Sequence, residues 1–280
     1  MNRKQFCGIA LGLVATAVAG CGGGGDDNNR NDTESINNPG AGSVTDLSRM
    51  TVFPGQKDGA FIGQNTGFVL SWATATDAPR TTRVALYRFL EARGGETRSD
   101  FREDIRIAGN TVSSWSVRKQ SDLFAGGVFY LDVSTDLDRK RYAFIVGGGR
   151  SIAPSDEPTR AADVNTPGTT IGLGNLTVRY SGDATGAVNI PVATPFVLDF
   201  GAETNAPARF TVRLRRYKER RGTEEPSANE QNVDVSHDAG TGQWTVRRSD
   251  NFLLERGATY ILEVVTDGET QRNYVFLTEG

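Results

Sequence analysis

The sequence predicts an all-β chain folded as two tandem antiparallel β-sandwiches, and three observations carry that prediction. Segments of the first half return in the same order in the second. Apolar residues alternate with polar ones at a period of two. No window holds an apolar stripe of helical period with capping residues at its ends, and clusters of Gly, Pro, Asp and Asn punctuate the chain at strand-like intervals.

The duplication can be followed residue by residue. Leu47-Ser48-Arg49-Met50-Thr51-Val52 returns as Leu173-Gly174-Asn175-Leu176-Thr177-Val178, and Phe68-Val69-Leu70-Ser71-Trp72 as Phe196-Val197-Leu198-Asp199-Phe200. Val84-Ala85-Leu86 matches Val212-Arg213-Leu214, and Trp115-Ser116-Val117-Arg118 matches Trp244-Thr245-Val246-Arg247. Phe129-Tyr130-Leu131-Asp132-Val133 returns as Tyr260-Ile261-Leu262-Glu263-Val264. The spacing drifts only from 126 residues (Leu47 to Leu173) to 131 (Phe129 to Tyr260), a regularity that chance does not produce.

Within each copy the strands read as half-buried. Phe68, Leu70 and Trp72 share one face, as do Phe196, Leu198 and Phe200, while Trp115 and Val117 alternate with serines. About seven such strands per hundred residues predict a two-sheet sandwich. The sandwiches are expected over 45–148 and 171–280. Between them, 149–170 reads as a linker of restricted geometry, because Asp156-Glu157-Pro158-Thr159 and Asn165-Thr166-Pro167-Gly168 are poor strand material.

Leu254, Gly257, Tyr260 and Val264 form a Leu…Gly-x-x-Tyr-x-x-x-Val pattern that resembles the strand corner of fibronectin type III and related immunoglobulin-like domains. Leu123, Gly127 and Tyr130 offer the same pattern in the first copy, and Ser71-Trp72 and Tyr87-Arg88 are similar to that family as well. The resemblance covers about 200 residues and implies that Tyr130 and Tyr260 are buried corner residues whose hydroxyls tie two strands together. Phe200, in place of a tryptophan, and the long charged segments 90–110 and 218–242 depart from it.

Residues 1–20 explain where such a chain would reside. Arg3 and Lys4 precede an apolar run over 6–18, too short for a comfortable membrane span, which ends in Val18-Ala19-Gly20-Cys21. This resembles the signal peptide and lipobox of a bacterial lipoprotein, with cleavage before Cys21 and lipidation of its thiol. The resemblance implies a membrane anchor at Cys21, and Gly22 rather than an acid at the next position implies the outer membrane of the cell envelope. One acyl chain holds a protein only marginally and several hold it stably. Residues 21–44, rich in Gly, Asp and Asn, read as a flexible tether reaching roughly 25 Å.

With Cys7 lost in the signal and Cys21 acylated, no thiol remains for a disulfide, so core burial has to hold the fold. Processing removes two cations and leaves 29 basic against 34 acidic residues, mild acidity that gives no reason to expect nucleic acid. The single histidine, His237, is expected in a loop without a role, since its neighbours Ser236 and Asp238 face away from it on an extended chain. One histidine and no free cysteine make the usual zinc sites impossible, and the Asp/Asn cluster after Cys21 lacks the register of a calcium loop. No catalytic residue, metal or cofactor is expected.

The basic stretch of the second copy is the candidate binding feature. Arg213, Arg215, Arg216, Lys218, Arg220 and Arg221 crowd one strand and the loop after it, interrupted by Glu219, Glu224 and Glu225, with Arg83, Arg88, Arg93 and Arg98 as the milder counterpart. Two readings stand: a solvated edge protected by charge, or an exposed rim for an acidic glycan or an acidic envelope partner. The function expected from all of this is a membrane-anchored, non-enzymatic binding or adhesion module. A structural spacer or accessory subunit of an envelope complex is the alternative, and a carbohydrate-processing enzyme a minor one.

Overall fold

The computed structural model describes residues 34–38, 41, 44–55, 61–94, 96–147, 160–180, 187–239, 241–249, 253–268 and 270–280. Cys21, the signal segment and most of the expected linker lie outside them. Within 33–280 the chain forms one compact unit. Among the described residues there are twenty strands, two short 3-10 turns and no α-helix.

The first half supplies β1 (Glu34–Asn37), β2 (Thr51–Phe53), β3 (Phe61–Ile62), β4 (Phe68–Ser71), β5 (Thr81–Leu90), β6 (Ser99–Glu103), β7 (Ile105–Thr111), β8 (Ser114–Lys119), β9 (Val128–Ser134) and β10 (Arg139–Val146). The second supplies β11 (Ala162–Asn165), β12 (Thr177–Tyr180), β13 (Val188–Ile190), β14 (Phe196–Asp199), β15 (Arg209–Lys218), β16 (Ser227–Gln231), β17 (Val233–Asp238), β18 (Gln243–Arg248), β19 (Thr259–Thr266) and β20 (Gln271–Thr278). Each strand of the first half has its counterpart ten strands later.

In both halves one sheet runs β2-β4-β8-β7 or β12-β14-β18-β17. The opposing sheet is built on β5-β9-β10 or β15-β19-β20, with a short parallel strand (β3 or β13) added to its last member. This division, with the second, fifth and fourth main strands on one side and the third, sixth and seventh on the other, is that of an immunoglobulin-like sandwich. Alternate residues fill the space between the sheets: Phe68, Leu70, Trp72, Leu86, Val117, Leu131 and Phe144 in the first half, and Phe196, Leu198, Phe200, Leu214, Trp244, Leu262 and Phe276 in the second.

The repeat begins earlier than 45 and 171. Glu34–Asn37 pairs along β5, burying Ile36, and Asn38 accepts the Trp115 Nε1 hydrogen bond at 2.8 Å. Ala162–Asn165 pairs along β15 in the same register, so this strand belongs to each half rather than to a tether or a linker.

The corner tyrosine needs a correction. Tyr260 receives a hydrogen bond from the Glu255 backbone N–H at 2.9 Å, as the family pattern implies. In the first half, however, Phe129 faces Arg88 across the sheet as Tyr260 faces Arg216. Phe129 therefore occupies the corner and Tyr130 points to the opposite face, where it stacks on Tyr87 with ring centres 4.9 Å apart. The matching glycines are Gly126 and Gly257, both at positive φ (73° and 58°), a conformation that side chains disfavour.

The two halves share one sheet. β10 pairs with β20, and the paired residues, Ala143 and Val275, are each other's counterparts, so a pseudo-twofold axis runs through this pair. The faces turned away from each sandwich's own core meet around it. Phe89, Val128, Tyr130, Ala143 and Ile145 join Tyr217, Ile261, Val275 and Leu277 in one continuous core. This explains why β9, β10, β19 and β20 carry consecutive apolar residues instead of alternating ones: they are buried on both faces.

Candidate functional site

The turns after β5 and β15 reach across the pseudo-twofold axis and build a reciprocal charge network. They carry the same motif, Glu91-x-Arg93-Gly94-x-Glu96 and Glu219-x-Arg221-Gly222-x-Glu224. Arg93 donates to Glu91 at 2.6 Å, to Glu224 at 2.7 Å and to the Glu219 carbonyl at 2.7 Å. Arg221 donates to Glu219 at 3.0 Å, to Glu96 at 2.6 Å and to the Glu91 carbonyl. Each arginine thus holds the acid beside it and the opposite half. Tyr217 adds a further tie, donating its hydroxyl to the Gly126 carbonyl at 3.0 Å.

Around this network the symmetry breaks. Arg216, only 6% exposed, is doubly paired: Nη1 donates to Glu91 at 2.7 Å and Nε to Glu255 at 3.1 Å, and these two acids keep the guanidinium charged despite burial. Its counterpart Arg88 makes no ion pair among the described residues, and its Nε is buried without a hydrogen-bond partner. The acid corresponding to Glu255 is replaced by Phe124, whose ring lies 4.2 Å beneath the Arg88 guanidinium. The acid corresponding to Glu91 is Glu219, whose Oε2 has no hydrogen-bond partner among the described residues. Burial pushes the Glu219 carboxyl above its ordinary range, against the pull of Arg221 and, more weakly, of Arg88.

Two more replacements act in the same direction. Arg220 stands where the first half has Ala92, and Phe101, facing Arg88 across the ladder, stands where the second has Asn229. One side of the axis is closed by ion pairs. The other opens as a cleft of about 580 Å³ lined by Arg88, Leu90, Glu96, Thr97, Ser99, Phe101, Phe124, Arg220, Arg221 and Gly222. Arg221 and Glu96 neutralise each other there, which leaves Arg88 and Arg220 as cations without a carboxylate partner among the described residues.

The six basic residues read as either a solvated edge or an exposed rim are dispersed by the fold. Arg213 and Arg215 share the buried carboxylate of Glu263, at 2.8 and 3.5 Å. Arg216 is buried and Arg221 belongs to the junction network, so neither is free for a ligand. Lys218 is exposed and Arg220 half-buried. Only Arg220 and Arg221 reach the cleft; its other cation, Arg88, comes from the milder set in the first half. His237 lies on β17 rather than in a loop, stacked on Trp244 and 2.9 Å from Glu203.

No protein-family description matches the chain, and no curated protein matches it. Among solved structures, one titled "Anomalous substructure of Titin-A168169" is similar over 78% of this chain and 92% of that chain, at 10% identity and a TM-score of 0.20.

Proposed function

We propose that this protein is a lipid-anchored module of the bacterial cell envelope, tethered through Cys21, whose two tandem immunoglobulin-like sandwiches bind an anionic ligand and perform no chemistry of their own. The observation that carries the reading is the broken symmetry of the junction. A duplicated interface that closes on one side with Glu91 and Glu255 carries, on the other, Phe124 at the position of Glu255 and Arg220 at the position of Ala92. Guanidinium groups that form no ion pair among the described residues, beside an apolar wall, suit a ligand that brings its own negative charge. Phe101 and Phe124 give that wall aromatic surface.

The experiment is crosslinking in intact cells, comparing the native protein with the double variant Arg88→Gln/Arg220→Gln. Adducts of the native protein should disappear in the variant while its amount in the membrane fraction stays the same. An unchanged adduct profile favours the spacer reading, which the shared sheet and the buried junction support by fixing the two halves as one stiff body.

A further inference from the structure

The lining of the cleft specifies more than charge. Phe101 lies on β6, is 53% exposed and lines the cleft. Beside it stand the hydroxyls of Thr97 and Ser99, and the Glu96 carboxylate, which gives one oxygen to Arg221 and leaves the other without a partner among the described residues. Arg88 and Arg220 provide the cations. The cleft therefore offers four kinds of contact together: guanidinium, open aromatic face, neutral hydroxyl and carboxylate acceptor.

Few anions use all four. A phosphate would meet the arginines but leave Phe101 uncovered and be repelled by Glu96. An acidic peptide would bring its carboxylate on a flexible stem, and though its backbone N–H groups could donate to Glu96, it offers no flat C–H face for Phe101. A hexuronic acid ring satisfies the whole set. Its carboxylate takes the geometry that guanidinium groups favour. The positively polarised C–H face of the ring lies on the negative face of the phenylalanine. Its hydroxyls donate to Glu96 and exchange hydrogen bonds with Thr97 and Ser99. A volume near 580 Å³ holds one such ring with its neighbour in a chain, and falls in the ordinary range of ligand sites.

We infer that the junction cleft binds the uronic acid units of an acidic polysaccharide, with Arg88 and Arg220 on the carboxylate and Phe101 under the ring. This rests on the reading of the cleft as an anion site. The test uses the full-length protein purified in detergent, titrated by calorimetry with an oligogalacturonate, the corresponding neutral oligosaccharide, sodium acetate, inorganic phosphate and a short Glu-rich peptide.

The oligogalacturonate is expected to bind at least about tenfold more tightly than any of the others, as one good charged contact plus ring stacking provides. Arg220→Gln and Phe101→Ala should each weaken it about tenfold or more, and raising the salt should weaken it further. Arg179→Gln, an equal change of charge at the Asp199 pair on β12, should leave it unchanged. Arg220 is half-buried in a turn and outside every ion pair among the described residues, so its variant carries the test even where Arg88→Gln loses stability. Equal binding of acetate or phosphate with Phe101→Ala silent, or preferential binding of the peptide, would overturn the saccharide class and leave the anion site standing. Failure of every anion to bind would overturn both.

Discussion

The junction makes a sharp prediction about two positions that sequence alone treats as equivalent. Glu91 and Glu219 are both buried and both open the same motif, yet among the described residues Glu91 holds two guanidinium groups, at 2.6 Å (Arg93) and 2.7 Å (Arg216), while Glu219 holds Arg221 alone. Glu91→Gln replaces one acceptor oxygen with an amide that faces an arginine N–H, and it leaves the buried Arg216 with Glu255 as its one carboxylate among the described residues. Breaking a buried pair in this way costs about 3–5 kcal/mol. Glu219→Gln keeps an acceptor for Arg221 and removes a charge whose second oxygen has no partner among the described residues, so its cost should stay below about 1.5 kcal/mol. For a chain of this size each kcal/mol moves the melting temperature by roughly 2–4 °C. Urea and thermal unfolding at pH 7 should therefore show Glu91→Gln lower by roughly 6–20 °C and Glu219→Gln within a few degrees of the native protein. Equal losses, or a larger loss at Glu219, would refute the broken symmetry.

Three further outcomes are expected. Tyr260→Phe should cost about 1–1.5 kcal/mol, since the Glu255 N–H loses its acceptor; thermal unfolding indistinguishable from native would show that this hydroxyl ties nothing together. Because burial raises the Glu219 carboxyl, the folded state binds its proton more tightly than the unfolded chain. The stability from that proton is present in full below the unfolded value near 4.5 and is lost as pH rises through the folded value. The stability of Glu219→Gln relative to native should accordingly be more favourable at pH 7 than at pH 4, and a difference that does not vary with pH would contradict this. Cys21→Ser should leave the chain uncleaved or release it from membranes, whereas mature-length variant in the membrane pellet on fractionation would sink the lipid anchor.

Much of this fold was legible in the sequence because duplication and alternation are local patterns. Phe68, Leu70 and Trp72 announce a strand with one buried face, and their return at 196, 198 and 200 announces a second sandwich. The junction was not legible from alternation, since it breaks it: Val128, Tyr130, Ala143 and Ile145 are buried on the face that a lone sandwich turns to water. The consecutive apolar runs of β9 and β10 were the available signal for a doubly covered sheet.

The basic stretch misled for a related reason. Composition cannot separate a solvated arginine from one neutralised by a carboxylate more than a hundred residues away, as Arg93 is by Glu224 and Arg216 by Glu91. Setting the two charged segments side by side reveals the shared Glu-x-Arg-Gly-x-Glu motif and assigns Arg221 to the structure. The same alignment exposes Ala92 against Arg220 and Glu255 against Phe124, the differences from which the cleft is made. The corner depended on register in a similar way, because a one-residue shift exchanges Phe129 for Tyr130 and turns the side chain to the other face.

The most direct test of the account reads the two equivalent arginines together. In nitrogen-15 spectra of the full-length protein, the side-chain Nε–H resonances of Arg88 and Arg216 can be assigned from their glutamine variants and followed during titration with oligogalacturonate. Arg216, bound to Glu91 and Glu255, should exchange slowly with solvent and stay fixed, while Arg88 shifts in a saturable manner that Arg220→Gln abolishes. Equal shifts at both arginines, or a shift at Arg216 alone, would contradict the claim that the duplicated junction is closed on one side and open to a ligand on the other.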